Sequence, residues 1–106
     1  MTASEHIILW DFLVPRPHQA AFVRGYGPEG GWARLFARAP GFLGTALYRD
    51  ASDPERFVTL DRWESAEAYA AFRTRFAEEY ATIDREFDAL TLRERILGEL
   101  VALRDG

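Results

Sequence analysis

Two neighbouring segments of the chain, residues 42–49 and 56–63, hold the side chains that are best suited to chemistry. Asp61 offers a carboxyl group and Thr59 a hydroxyl group, and Gly44 on the other segment leaves space beside them. A carboxyl group inside an apolar recess can serve as a general base, because burial raises its pKa toward neutrality. The pattern therefore predicts proton abstraction from a bound ligand, provided that the fold brings these residues together.

The two segments are expected to be paired strands of one hairpin. Both are rich in β-branched and aromatic residues, and residues 50–55 between them are turn formers. If Arg49 faces Arg56, antiparallel pairing places Gly44 opposite Asp61. The same face then carries three more pairs, Ala46 with Thr59, Tyr48 with Phe57 and Phe42 with Trp63, while Thr45 and Leu47 point to the opposite face. This register predicts a recess between aromatic ends with polar groups at its floor, which is the usual form of a ligand site.

Two other interpretations of the hairpin stay open. Gly44 is also typical of a β-bulge, and Asp61 could instead form an ion pair with an arginine. A slip of one residue would move every side chain of one strand to the other face. The predicted recess therefore depends on the register.

The remaining segments predict two more strands and three helices around the hairpin. Residues 6–14 and 96–103 are apolar runs typical of strands, and the first run ends at Pro15. Apolar residues recur at helical spacing through residues 65–90. One straight helix of that length would be longer than the strands it packs against, so a bend is expected near residues 81–84. Shorter helices are predicted at residues 17–24 and 31–39, and Thr91 with Glu94 matches a capping box that predicts one further turn.

This order of elements, β, α, α, β, β, α, β, is that of a ferredoxin-like α+β sandwich. Helices cover one face of a four-stranded antiparallel sheet, and residues 1–106 form a single domain. The first strand also carries apolar residues on its other face, with Ile7, Leu9 and Leu13 around Asp11, and the fourth strand is apolar on both faces. A sheet with one face in water would alternate strictly between apolar and polar residues along each strand, and these two strands do not. A homodimer through the uncovered sheet face is therefore predicted.

Composition excludes several classes of function. The chain has 106 residues and a net charge of −4, which argues against a nucleic-acid partner or an anionic membrane. It has no Cys, and its two histidines, His6 and His18, are isolated, so no metal site and no cofactor are expected. The N-terminal segment lacks a basic region, and Asp11 interrupts its apolar run. Neither a signal peptide nor a membrane span is predicted, and a cytoplasmic protein is expected.

Three stretches of the chain carry a recognisable pattern: Trp32-x-x-Leu35-Phe36, then Pro40-Gly-Phe-Leu-Gly-Thr45, then Arg56-Phe-Val-Thr-Leu-Asp-Arg-Trp63-Glu-Ser-x-Glu67-Ala-Tyr69. Together they resemble the antibiotic biosynthesis monooxygenase-like superfamily. The resemblance implies a dimeric α/β barrel built from ferredoxin-like subunits, in agreement with the order of elements. Such folds host oxygenases, haem-degrading enzymes, isomerases and proteins without a known activity, so the fold alone does not define a reaction.

The resemblance also implies site residues. Members that oxidise aromatic polyketide phenols without metal or flavin use an Asn, a Trp, a Tyr and an Arg in their pocket. Trp63 and Tyr69 match the Trp and the Tyr, Thr59 stands in the place of the Asn, and the Arg has no assigned position. Haem-degrading members need a His on the helix after the Trp, where this chain has Phe72 and Arg73, so haem degradation is not expected.

The resulting hypothesis is a cofactor-independent monooxygenase that oxidises an electron-rich aromatic phenol or quinol with dioxygen. Asp61 would remove the proton from the substrate. Tyr69 and Trp63 are predicted as catalytic residues beside Asp61, with Tyr69 orienting the substrate oxygens and Trp63 flanking the ring. The substrate-binding residues would be Thr59 at the oxygens, Tyr48 on the ring, Arg73 at the negative charge, and Gly44, which leaves space for the ligand. The alternative is a non-catalytic dimeric small-molecule-binding or interaction protein of the same fold. A third alternative is an isomerase or a lyase, in which Asp61 would serve as the base in the same way.

Overall fold

Four strands and four α-helices make up the fold in a computed structural model that describes residues 4–103. In chain order they are β1 (His6–Leu13), α1 (Gln19–Tyr26), α2 (Gly31–Phe36), β2 (Phe42–Arg49), β3 (Arg56–Trp63), α3 (Ala66–Arg75), α4 (Ala77–Phe87) and β4 (Arg93–Val101). Short 3-10 turns at Arg16–His18 and Asp88–Leu90 precede α1 and follow α4. Residues 1–3 and 104–106 of the predicted domain lie outside the described residues.

The strands form one antiparallel sheet in the order β2-β3-β1-β4, and the helices lie on one of its faces. This is the predicted ferredoxin-like α+β sandwich, and within the single chain its sheet is open rather than closed into a barrel. Among the described residues, no helix is both long enough and apolar enough to span a bilayer.

The turns follow from the local sequence. The Asp50 carboxylate accepts hydrogen bonds from the backbone N–H groups of Ser52 and Asp53 at 2.7 and 3.1 Å, which closes the β2–β3 hairpin. Ser65 caps α3 by accepting a hydrogen bond of 3.0 Å from the Ala68 N–H. The hairpin and the following helix are therefore fixed at both ends of β3, the strand that carries Asp61.

The predicted bend near residues 81–84 is wrong in its position, because the long helical segment breaks at Phe76. The backbone of Phe76 has φ −107° and ψ 27°, outside the helical range, and this residue separates α3 from α4. Its side chain is buried, and its ring lies 5.7 Å from that of Phe72. The Phe76 ring therefore packs into the core at the junction between α3 and α4.

The predicted turn at residues 91–94 is also absent, because β4 begins at Arg93 and includes Glu94. Glu94 pairs with Phe12 of β1, so the Glu94 side chain lies on the helix-covered face of the sheet. The fourth strand thus begins three residues earlier than the apolar run predicts.

The register predicted for the hairpin is wrong by one residue over most of its length. Thr45, not Gly44, lies opposite Asp61, and Leu47 lies opposite Thr59, while Phe42 does pair with Trp63. The shift arises from an irregularity between Phe42 and Gly44, where Gly44 has φ +145°. The β-bulge interpretation of Gly44 is therefore correct.

The bulge reverses the two faces of β2 relative to the prediction. Thr45 and Leu47 point toward the helices together with Asp61, whereas Gly44 and Tyr48 point away from them. Tyr48 is 54% exposed on the uncovered face, so it cannot flank a ligand that sits beside Asp61. Gly44 likewise lies on the other side of the sheet from the Asp61 carboxyl group.

The core lies between the sheet and the helices and is dominated by aromatic side chains. Its fully buried members include Phe22, Phe57, Trp63 and Phe72. Many rings meet edge to face, for example Phe36 and Phe72 with centroids 5.2 Å apart and planes at 85°. This rigid layer forms the wall against which the site is built.

The uncovered face of the sheet carries a buried ion cluster within an apolar surface. Asp11 is completely buried there, with Arg56 Nε 2.6 Å from Oδ1 and with Arg95 Nε and Arg93 Nη2 2.8 and 3.1 Å from Oδ2. Burial alone would raise the pKa of Asp11, but the hydrogen bond from Arg95 and the charges of the three arginines lower it below its ordinary value. Ile7, Leu9, Val58 and Leu60 are half-buried on the same face.

Candidate functional site

A cavity opens between the helix-covered face of the sheet and helices α1, α2 and α4. Its volume of about 30 Å³ is enough for about one water molecule and lies well below the usual range for ligand sites, so an aromatic ligand requires the side chains at its mouth to move apart. Every strand contributes to its lining, which consists of Trp10, Phe12, Tyr26, Trp32, Phe36, Thr45, Thr59, Asp61, Tyr80 and Glu94. Most of this wall is aromatic, and its polar groups are carboxyl groups, hydroxyl groups and the indole N–H groups of Trp10 and Trp32.

Asp61 is the most chemically distinctive residue of the lining. Only 7% of the residue is exposed, and the Thr45 hydroxyl donates a hydrogen bond to its Oδ1 atom. Burial raises the pKa of Asp61 to about 6, although the hydrogen bond from Thr45 opposes this shift. A carboxyl group with such a pKa is ionised at neutral pH and can still accept a proton, which is what a general base requires.

Two tyrosines supply neutral hydroxyl groups to the same cavity. Burial is the main reason that the pKa of Tyr80 rises to about 12, and it also raises the pKa of Tyr26. Both groups therefore stay protonated at neutral pH and can donate a hydrogen bond to an oxygen of a ligand. Trp32 lies between them, with its ring centroid 6.1 Å from that of Tyr26 and 4.9 Å from that of Tyr80.

Glu94 is the second carboxyl group of the lining. It is half-buried, and burial raises its pKa, with further increases from the negative charges of Asp84 and Asp88. Trp10, Thr45 and Tyr80 are also half-buried, whereas the other lining residues are buried. The half-buried residues therefore form the rim of the cavity, and Asp61 lies at its floor.

Among the residues predicted for the site, Asp61 and Thr59 line the cavity, and Gly44 and Tyr48 lie on the opposite face of the sheet. Trp63 is fully buried behind Phe36, with the two ring centroids 5.7 Å apart. Trp63 packs against Tyr69 at 5.5 Å, so the two form a layer behind the lining.

Arg73 reaches the cavity wall from outside. Its Nη1 atom donates a hydrogen bond of 2.9 Å to the Tyr69 hydroxyl, and its guanidinium carbon lies 4.1 Å from the ring centroid of Tyr80. The residue is exposed and does not line the cavity. Arg73 thus supports the Tyr80 ring rather than contacting the enclosed space.

The sequence does not identify several of the residues that line the cavity. Trp32 and Tyr80 stand in helical apolar stripes that predict core packing, and nothing in the stripe distinguishes a residue beside a cavity. Thr45 is assigned to the wrong face by the register without the bulge, and Glu94 is assigned to a capping box. A β-bulge at Gly44 was the available signal for Thr45, because it moves this residue opposite Asp61.

Within residues 4–103, no group of three or more His, Asp or Glu side chains is arranged so that it could hold a metal ion. The cavity therefore offers hydrogen-bonding and acid–base groups: one buried carboxyl, one carboxyl at the rim, the indole N–H groups of two tryptophans, and four hydroxyls on Tyr26, Thr45, Thr59 and Tyr80. The N–H of Trp32 is buried and has no hydrogen-bond partner among the described residues.

These features define the class of the protein as a ferredoxin-like α+β subunit with a small, mainly aromatic cavity between its sheet and its helices. Residues 31–83, half of the chain, match the family model for antibiotic biosynthesis monooxygenase, and the chain belongs to this family. The resemblance found in the sequence is thereby confirmed. No curated protein matches the chain significantly.

Solved structures of the same fold cover nearly the whole chain. SnoaB, a cofactor-independent oxygenase from Streptomyces nogalater, is 22% identical over 97% of each chain, with a TM-score of 0.71. PA3566 from Pseudomonas aeruginosa is 18% identical over 98% of this chain and 99% of its own, with a TM-score of 0.70. SO0527 from Shewanella oneidensis is 13% identical over 93% and 91%, with a TM-score of 0.68. At these identities the similarity establishes the fold.

Proposed function

We propose that this protein is a cofactor-independent monooxygenase that oxidises an electron-rich aromatic phenol or quinol with dioxygen. The observation that carries the proposal is the buried carboxyl group of Asp61, which has a pKa of about 6 at the floor of an aromatic cavity. Membership of the antibiotic biosynthesis monooxygenase family and the fold shared with SnoaB, a cofactor-independent oxygenase, support it.

In the proposed reaction the half-buried side chains at the rim move apart to admit a neutral substrate, and Asp61 removes its proton. The transfer moves one negative charge from the carboxylate to the substrate, so the total charge in the cavity does not change. The Tyr26 and Tyr80 hydroxyls can hydrogen-bond to the oxygens of the resulting anion. Exclusion of bulk water by the aromatic wall protects the reactive anion from side reactions.

The deprotonated substrate then supplies the electrons that a cofactor would otherwise provide. For a phenol with an activated ring methylene, the anion transfers one electron to dioxygen and the two radicals combine into a peroxide. The proton held by Asp61 returns to the peroxide, and loss of water leaves a carbonyl group on the carbon. One oxygen atom of dioxygen enters the product and the other leaves in water.

The residues of the layer behind the cavity are proposed as positioning residues. Trp63 and Tyr69 brace Phe36 and the start of α3, and Arg73 holds the Tyr80 ring from its outer side. Thr59 points into the cavity two residues before Asp61 on the same strand face and is proposed to bind a substrate oxygen.

Oxygen consumption with a panel of anthrones and hydroquinones tests the proposal. The wild-type protein is expected to accelerate oxygen uptake with at least one of them, and Asp61→Asn is expected to abolish the acceleration without loss of folding. Glu64→Gln, at an exposed position beyond β3, is the matched control and is expected to keep full activity. Tight binding of the panel without oxygen uptake would favour the non-catalytic binding protein instead.

The proposal includes a homodimer that forms through the uncovered sheet face. That face presents half-buried Ile7, Leu9 and Leu60 together with Tyr48 and Leu100, which are 54% and 47% exposed. A second copy packed on it would bury these side chains and pair the two open sheets face to face. The cavity lies on the opposite side of the sheet, so a single subunit contains all the lining residues described above.

A further inference from the structure

The cavity has an unbalanced charge. Its lining includes the carboxyl groups of Asp61 and Glu94, and it includes no arginine or histidine. Anion-binding sites in proteins usually supply arginine, backbone N–H groups at a helix start, or both. A ligand with a fixed negative charge would therefore find no counter-charge in this wall.

The sequence of β4 segregates its charges between the two faces of the sheet. Glu94 points into the cavity from a position opposite Phe12. Its neighbours Arg93 and Arg95 point to the other face, where both bind the carboxylate of Asp11. The alternation of side chains along a strand thus removes two positive charges from the rim and leaves one negative charge there.

The surroundings of Glu94 on the helical side are also acidic. Asp84 of α4 and Asp88 of the following turn lie close enough to raise the pKa of Glu94 by their charge. Arg73 is the cation that approaches Tyr80, but it lies on the outer side of that ring and its Nη1 atom donates to Tyr69. The rim therefore presents negative charge to anything that enters.

We propose that Glu94 makes the cavity selective for uncharged aromatic ligands and excludes ligands that bear a carboxylate, sulfonate or phosphate group. This inference rests on the proposed function of the cavity and narrows its substrate class. An anionic group at the rim would be repelled by Glu94 across a partly desolvated gap, where charges interact more strongly than in water. A neutral phenol avoids this repulsion and can donate its hydroxyl hydrogen to Asp61.

The selectivity fits the proposed chemistry. Asp61 can deprotonate a phenol only while the carboxyl group itself is ionised, and a second negative charge on the substrate would oppose formation of the phenolate. Asp61 is least able to deprotonate anionic molecules, and repulsion at the rim prevents these molecules from reaching it.

Binding of three matched probes, measured by calorimetry under argon at neutral pH, tests the inference without turnover. The probes are a naphthol, a hydroxynaphthoate and the carboxamide of that acid, which has nearly the same size as the acid but no charge. The wild-type protein is expected to bind the hydroxynaphthoate at least about tenfold more weakly than the carboxamide, since one unfavourable charge contact is worth roughly that factor. Equal binding of these two probes would overturn the inference.

Variants of Glu94 test whether this residue causes the selectivity. Glu94→Gln is expected to bring the affinities for the acid and the carboxamide together, while Glu94→Asp, which keeps the charge, is expected to preserve the difference. Glu86→Gln on the exposed side of α4 is the matched control and is expected to leave the difference in affinity between the acid and the carboxamide unchanged. An unchanged ratio in Glu94→Gln would also overturn the assignment.

The result separates this inference from the proposed oxygenase. Selective binding of the neutral probes without oxygen uptake by any substrate would contradict the monooxygenase and leave the selectivity of the cavity standing. Oxygen uptake that is equally fast with neutral and anionic substrates would contradict the selectivity alone. Failure of all three probes to bind would contradict both.

Discussion

Thr45 lies directly across the β2–β3 ladder from Asp61 and donates its hydroxyl hydrogen to Oδ1 of that carboxyl group. Through this pair the fold sets the pKa of the proposed base, Asp61. Burial raises the pKa of Asp61, and the hydrogen bond from Thr45 holds the rise to a value of about 6. The bulge at Gly44 brings the two residues together, since without it Thr45 would face away from the cavity.

Thr45→Val is expected to raise the pKa of Asp61, because it removes the hydrogen bond that favours the ionised form. Hydrogen bonds to charged groups contribute about 1.5–3 kcal/mol, so the midpoint is expected to move from about 6 to between about 7 and about 8. NMR titration of the Asp61 carboxyl carbon measures the shift directly, and the pH profile of oxygen uptake should move in the same direction. Thr74→Val on the exposed side of α3 is the control, and an unmoved midpoint in Thr45→Val would contradict the role of the hydroxyl.

Asp61→Asn is expected to stabilise the fold at neutral pH. The pKa of Asp61 is raised from 3.8 to about 6 by folding, so the unfolded chain releases this proton more readily. The carboxyl group therefore destabilises the folded state increasingly as the pH rises from about 4 to above 6, by at most about 3 kcal/mol.

Urea unfolding of the wild type and Asp61→Asn across this pH range checks the sign. The gain in the variant's free energy of unfolding should be largest at neutral pH and should shrink as the pH falls to about 4, where the wild-type carboxyl group is protonated. A variant that is less stable than the wild type at neutral pH would show that the carboxylate is better solvated in the cavity than its burial implies.

Asp11 is expected to act on stability in the opposite sense. Its pKa is lowered in the folded protein, so its contribution is present above the ordinary value of 3.8 and disappears only as the pH falls below that value. Asp11→Asn leaves three arginines around an uncharged amide, and loss of one partner of a buried ion cluster costs about 3 kcal/mol at neutral pH. Urea unfolding measures the loss, with Glu55→Gln as a control at a nearby carboxylate, and a loss below about 1 kcal/mol would contradict the structural role of the cluster.

The contrast between these two aspartates shows how far sequence reasoning reaches. The order of strands and helices along the chain predicts the ferredoxin-like fold, and the alternation of side chains along each strand places Asp11 and Asp61 on opposite faces of the sheet. The three arginines around Asp11 come from β3 and β4, and their convergence depends on strand pairing that no local pattern encodes. Prediction of the cavity lining also depends on the bulge at Gly44, which decides the face that Thr45 occupies. Prediction of the position of Glu94 depends on the true start of β4.

Leu60→Arg is expected to dissociate the proposed homodimer. Leu60 lies on the uncovered face opposite Leu9 and Ala46, where a charged side chain would face the second copy. Light scattering should give twice the subunit mass for the wild type and the subunit mass for the variant. Val23→Arg is the control, because Val23 is exposed on α1 at the other side of the molecule, and a monomeric wild type would contradict the dimer.

Gly44→Ala is expected to destabilise the fold and to disturb the site. Nothing lies within 4 Å of a Cβ atom added at Gly44, so the cost arises from the backbone, whose φ of +145° is strained for any residue with a side chain. We expect a loss of about 1–3 kcal/mol in the free energy of unfolding. We also expect weaker pairing of Thr45 with Asp61, because a strand without the bulge turns Thr45 to the other face.

Gly98→Ala separates backbone strain from the simple addition of a methyl group. Gly98 also lies in a strand with open space around an added Cβ atom, but it has no positive φ, so this variant should keep the stability of the wild type. If the two variants lose equal stability, strain at Gly44 is not the cause. If Gly44→Ala also leaves the pKa of Asp61 unchanged, the bulge does not hold Thr45 on the carboxyl group, and the link between the strand irregularity and the proposed base is broken.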